Sequence, residues 1–208
     1  MTDDVDRRGS VTTFYSFKGG VGRSMTLANV AWRVASNYGR KVVVVDFDLE
    51  APGIHRYFGL SDADLCDAYG VVDFFTDWRN AVDAKADAPP SIRGRAIEIT
   101  GKRHKPRAGS LHLIPAGKQD ADYGKRLQAL DWQSLYRDFG GARAVEVLRE
   151  ELCRDFERVV IDSRTGLTDH GGICTRQLPD MVFLMTSTSP QSWDGVTQVA
   201  GTLKSTPE

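Results

Sequence analysis

The chain has little net charge, few cysteines and no long apolar run. Its 208 residues carry 27 lysines and arginines against 28 aspartates and glutamates, a formal net charge of -1. No global field therefore demands nucleic acid or an acidic membrane as partner. No apolar run approaches the roughly 20 residues of a membrane-spanning helix. Met1 to Arg8 is acidic and then basic, without the apolar stretch of a secretory signal. Cys66, Cys153 and Cys174 stand far apart, odd in number and without C-x-x-C spacing. That excludes a disulfide framework and a cysteine zinc site, and predicts reduced thiols in a cytoplasmic protein. The four histidines, His55, His104, His112 and His170, show no metal-ligand spacing. Repeats and low-complexity tracts are also missing. At 41% apolar residues, the composition fits one globular domain with a substantial core.

Alternation of element types is what the chain does have. Residues 1–10 read as a polar tail, and 11–208 as a domain. Val11 to Phe17, β-branched and aromatic, reads as a buried strand. After a glycine-rich turn, a helix is expected from Ser24. Leu27, Val30, Ala31, Val34 and Ala35 repeat on one helical face, and Gly39 is a natural stop. Lys41 to Asp46 holds four consecutive valines, the mark of a strand buried on both faces. Further on, strands are expected at Leu111–Pro115, Arg158–Asp162 and Met181–Thr186. Helices are expected at Tyr69–Val82, Tyr123–Leu130, Ala144–Phe156 and Asp194–Leu203. Ile92 to Arg107 is compatible with a short hairpin. The class is α/β with a mainly parallel sheet.

The turn Lys18-Gly19-Gly20-Val21-Gly22-Arg23-Ser24 joins the first strand to the first helix. Glycines there let successive backbone N–H groups converge on one anion. The helix adds its free N–H groups and the positive end of its dipole. The ordinary phosphate loop, G-x-x-x-x-G-K-[ST], is missed twice: Phe17 stands at the first glycine and Arg23 at the lysine. The run instead resembles the deviant Walker A ATPases of the MinD and ParA type, in the branch written K-G-G-V-G-R-[ST]. The resemblance extends to Asp46-Phe47-Asp48 at the end of the valine strand and to Pro52-Gly53. It also takes in Leu111–Gly117, Val159-Val160-Ile161-Asp162 as a Walker B strand, and Leu178-Pro179-Asp180.

That resemblance implies a three-layer P-loop NTPase fold, ATP and Mg2+ as ligands, and a set of roles. Lys18, Gly19, Gly20, Val21, Gly22, Arg23, Ser24 and Met25 would bind the phosphates, joined by Gly166. Ser24 would ligate the metal directly, with Asp162 and Asp46 holding its shell. Asp48 would orient or activate the attacking water. Lys18 would reach across a dimer to the other subunit's phosphates. Arg23 keeps the charge of the family's lysine, with a planar fork in place of a point charge. The expected activity is an ATP-hydrolysing switch that dimerises on nucleotide and acts on a protein partner or fused effector domain. The alternative is a non-catalytic nucleotide sensor. A kinase fits less well, because no tyrosine-rich tail is present.

The resembling family continues past the helix near residue 203, so the domain is expected to be incomplete at its C-terminus. Arg93, Arg95, Lys102, Arg103, His104, Lys105 and Arg107 form a basic cluster without interleaved aromatics. A solvated loop is favoured there over nucleic-acid binding. Cys174 is expected to pack, and Trp32 and Trp193 to be half-buried.

Overall fold

A computed structural model describes residues 9–101, 104–165 and 172–204. Six strands form one sheet in the order β3-β4-β2-β5-β1-β6. They are β1 (Ser10–Ser16), β2 (Lys41–Phe47), β3 (Ile97–Glu98), β4 (Ser110–Ile114), β5 (Arg158–Ser163) and β6 (Met181–Met185). Every pairing is parallel except that of β3 with β4. The helices are α1 (Arg23–Tyr38), α2 (Val71–Asp83), α3 (Tyr123–Ala129), α4 (Trp132–Asp138), α5 (Gly141–Asp155) and α6 (Pro190–Lys204).

The valine strand shows why both faces of this sheet are covered. Side chains alternate across a strand, so Val42 and Val44 face one way and Val43 and Val45 the other. Val42 and Val44 pack with Leu111, Leu113, Val160 and the α1 residues Leu27, Ala31 and Ala35. Val43 and Val45 pack with Val159, Ile161 and the helices α2, α4 and α5. The result is helix, sheet, helix. On α5, Val145, Leu148 and Leu152 are buried, as the spacing predicts. Gly39 ends α1 in the left-handed conformation at φ 62°, which glycine adopts without the usual Cβ penalty.

Several expectations need correction. The buried stripe of α1 is Leu27, Ala28, Ala31 and Ala35, and Val30 is 38% exposed. Mostly small residues line that stripe, so the contact is narrow and Val30 falls at its margin. Among the described residues of Ile92–Arg107, β3 is the one strand, and it pairs with β4 rather than forming a hairpin within the segment. Helix α4 was not expected from sequence; Asp131 caps it by accepting N–H bonds from Gln133 and Ser134. Helix α6 starts at Pro190, a favoured first-turn residue, rather than at Asp194. Trp193 is 62% exposed, not half-buried.

Candidate functional site

The loop between Ser16 and Arg23 lies at the carboxyl end of β1, where ligands of open α/β sheets bind. Gly20 and Gly22 have φ of 77° and 82°, a region that side-chain-bearing residues enter only with strain. Gly22 is the N-cap of α1. No side chain caps the helix start, and no acidic residue stands in the first turn. The helix start therefore offers N–H groups and a positive dipole end toward an anion. Ser24 is half-buried in the first turn, and Met25 is exposed.

Strand alternation assembles the acidic half of the site. Asp46 and Asp162 are register partners on the adjacent strands β2 and β5. Both share a face with Val44 and Val160, which is the face that α1 covers. The D-x-D spacing returns Asp48 to that face just past the strand end. Phe14, paired in register with Asp162, places Ser16 there too. Three carboxylates and one hydroxyl thus converge beneath the first residue of α1.

That residue is Arg23, and its side chain turns into the cluster. Nε donates to Asp162 Oδ1 at 2.6 Å and Nη2 to Asp48 Oδ2 at 2.8 Å, while Nη1 lies 3.4 Å from Ser16 Oγ. The side chains of Arg23, Asp162 and Asp48 are 6%, 2% and 20% exposed. Burial opposes the Arg23 charge, but Asp162 and Asp48 outweigh it, so the guanidinium sits above its ordinary value. Burial raises Asp48, and Arg23 pulls it partly back. Asp46 lies apart from the guanidinium and accepts backbone N–H bonds from Asp48 and Gly53, each at 3.2 Å. Burial raises it well above the ordinary carboxylate range, and the neighbouring Asp162 charge adds to the shift.

One guanidinium against three carboxylates leaves a surplus of negative charge in a water-poor place. Such a surplus fits a divalent cation. Among the described residues, no group of three histidine, cysteine or acidic side chains is arranged to hold a metal alone. A magnesium ion at this point would complete its shell from the Ser24 hydroxyl, phosphate oxygens and water, as that ion commonly does.

The remaining expected residues are spread more widely. Lys18 is half-buried and donates to Gln191 Oε1 at the start of α6. Gly19 is exposed, with open space where a Cβ would be, and Val21 is half-buried. Gly166 lies outside the described residues, as do Lys102, Arg103 and His170. Arg164, just past β5, pairs with Glu50, just past the D-x-D. In the basic cluster, Arg93 pairs with Asp155 at 3.0 Å and Arg95 lies over the Tyr69 ring. Cys174 is buried, and burial raises its thiol.

Sequence reasoning missed Ser16, Gln191 and Gly195. The Phe17 ring fills the space above Gly195, where a methyl group would overlap it. Phe17 reads in sequence as the end of the first strand and as the residue standing at a missing glycine. Its bulk calls for a small partner, and a glycine inside a helix was the available signal.

A parallel sheet with a glycine-rich loop at a helix start, facing aspartates on the neighbouring strands, defines a P-loop nucleotide-binding domain. Residues 9–73 match the family model described as ParA, NUBPL iron-transfer P-loop NTPase. The septum site-determining protein MinD of Helicobacter pylori is 41% identical over 157 residues, 76% of this chain and 45% of that protein. The cytosolic Fe-S cluster assembly factor CFD1 of Yarrowia lipolytica is 38% identical over 96 residues, 45% of this chain and 33% of that protein. MinD from Pyrococcus horikoshii, solved with Mg-ADP, superposes with a TM-score of 0.65 at 17% identity, covering 94% of this chain and 65% of that one. The chain is similar to P-loop NTPases of the MinD/ParA type, over residues 9–73 in the family match and over three quarters of its length in the MinD match. It spans less than half the length of these two curated relatives. Among the described residues, no helix is long and apolar enough to cross a membrane.

Proposed function

We propose that this domain binds and hydrolyses ATP with Mg2+ and works as a nucleotide-controlled switch. The carrying observation is the convergence of the Gly20–Ser24 loop, at an uncapped helix start, on Asp46, Asp48 and Asp162. Phosphoryl transfer asks for positioning and charge neutralisation more than for covalent steps. The backbone N–H groups of the loop and of Met25 bind the β- and γ-phosphates. Ser24, Asp162 and Asp46 would hold a magnesium ion, which would supply positive charge against the phosphates when bound. Asp48 orients the attacking water. Lys18 reaches the phosphates of a second subunit, so that nucleotide favours a dimer acting on a protein partner. The P. horikoshii MinD solved with Mg-ADP supports the choice of ligands.

The test is steady-state ATP hydrolysis by the wild type and Asp48→Ala. Loss of about a hundredfold or more in the variant, with nucleotide affinity kept, is the expected outcome. Equal rates would sink the assignment of Asp48. Sedimentation with a non-hydrolysable ATP analogue tests the dimer.

A second reading, a nucleotide sensor without turnover, is favoured by the Arg23–Asp48 ion pair, because it engages the carboxylate assigned to water. Tight nucleotide binding with no hydrolysis, even with a partner present, would select it.

A further inference from the structure

We propose that Arg23 is a built-in counter-cation: it pairs Asp48 and Asp162 while no nucleotide is bound and yields them to the divalent cation arriving with the nucleotide. The inference rests on the reading of this site as a metal–nucleotide site.

Three observations carry it. First, one guanidinium spans two acidic segments: Asp162 on β5 through Nε, and Asp48 beyond β2 through Nη2. The planar fork of arginine makes this bridge, whereas the single ammonium of a lysine is a point charge without that geometry. Second, the bridge is almost dry. Arg23 and Asp162 are both more than nine-tenths buried, so the pair is weakly screened and the carboxylates depend on it for compensation. Third, the positive charge lies on two of the three carboxylates to which the proposed function assigns metal and water duties. A metal ion and a guanidinium cannot both neutralise the same oxygens without repelling each other.

The arrangement has a direction. With Arg23 in place, a free divalent cation meets a partly neutralised site and gains little by entering. A metal already carrying a nucleotide brings phosphate charge, which offers the displaced guanidinium a new partner beside α1. Exchange then frees Asp48, so loading and release of the water-orienting carboxylate become one event. The Arg164–Glu50 pair repeats this closure at the rim, joining the segment after β5 to the segment after the D-x-D. Arginines thus tie both acidic strand ends together.

The test uses the whole chain without nucleotide, titrated with Mn2+ and followed by the electron paramagnetic resonance of free Mn2+. Arg23→Gln keeps much of the length and removes the charge. It is expected to bind Mn2+ on the order of tenfold more tightly than the wild type, or better. Arg23→Lys, one ammonium for two carboxylates, should fall between them. Equal affinity in all three proteins overturns the proposal, as does tighter binding by the wild type. If circular dichroism shows that Arg23→Gln does not fold, Arg23→Lys decides: tighter than wild type supports the proposal, and equal overturns it. A fluorescent ADP analogue, titrated with and without Mn2+, separates the underlying reading. Failure of the wild type to bind the analogue would remove the nucleotide assignment, while the Mn2+ series alone decides whether Arg23 holds the cation's place.

Discussion

The two ends of the phosphate loop carry one cation each, in opposite surroundings. Lys18, at the leading end, is half-buried and touches Gln191 of α6. Arg23, at the trailing end, lies in a dry acidic cluster beneath α1. Position in the fold produces the difference. Lys18 follows the end of β1 and faces outward beside the last described helix. Arg23 opens α1, whose narrow stripe of mostly small residues brings it close to the sheet and to the aspartates at the strand ends. The leading cation is therefore available to something outside the domain, while the trailing one is committed within it.

The strongest way to break this contrast is to delete the committed charge. Arg23→Ala leaves Asp162 and Asp48 without compensation in a buried place. The nucleotide-free protein is expected to lose roughly 3–5 kcal/mol in urea denaturation. A loss no greater than that of a surface substitution would mean that water replaces the guanidinium freely. Next comes the wedge that fixes the leading end. Gly195→Ala places a methyl group against the Phe17 ring. Overpacking of this kind costs about 1–3 kcal/mol. The thermal midpoint should fall, and Lys18, next to Phe17, should lose its contact with Gln191.

A smaller effect of opposite sign is expected at Asp46. Its carboxyl is raised in the folded protein, so the folded state holds a proton more tightly than the unfolded chain does. The stability this gives is full below the ordinary carboxylate range. It is lost as pH rises from that range through the raised value. Asp46→Asn should remove this slope and stabilise the nucleotide-free protein by on the order of 1 kcal/mol at neutral pH. Thermal melts across acid to neutral pH would show the two curves converging at the acid end. Parallel curves would place the burial cost elsewhere.

The contrast also marks where sequence reasoning reaches. Strand identity was legible because Val42–Val45 has no polar interruption, and helix ends because Gly39 must turn left-handed. The D-x-D alternation was enough to put Asp46 and Asp48 on one face. Local periodicity could not tell which way the Arg23 side chain turns. That depends on Asp162, 139 positions away in sequence and brought near by the pairing of β1 with β5. Helix α4 was overlooked because Asp131 reads as a loop residue until its side chain is seen capping the next turn. β3 is two residues long and exists because β4 offers an edge. Val30 was misplaced because a stripe of alanines buries less of a helix's circumference than larger residues would.

The smallest expected effect sharpens the contrast most. Lys18→Ala removes one half-exposed hydrogen bond to Gln191 and leaves Arg23 untouched. Folding stability should stay within about 0.5 kcal/mol of the wild type, as for ordinary surface substitutions. If Lys18 acts across a dimer, the variant should still bind nucleotide as a monomer but fail to associate with a non-hydrolysable ATP analogue. Analytical ultracentrifugation at several protein concentrations, with and without the analogue, reads both states. A variant that dimerises like the wild type would confine Lys18 to its own subunit, at the mouth of the loop beside α6. A variant that loses nucleotide affinity as well would show that the leading end, like the trailing one, serves its own phosphates.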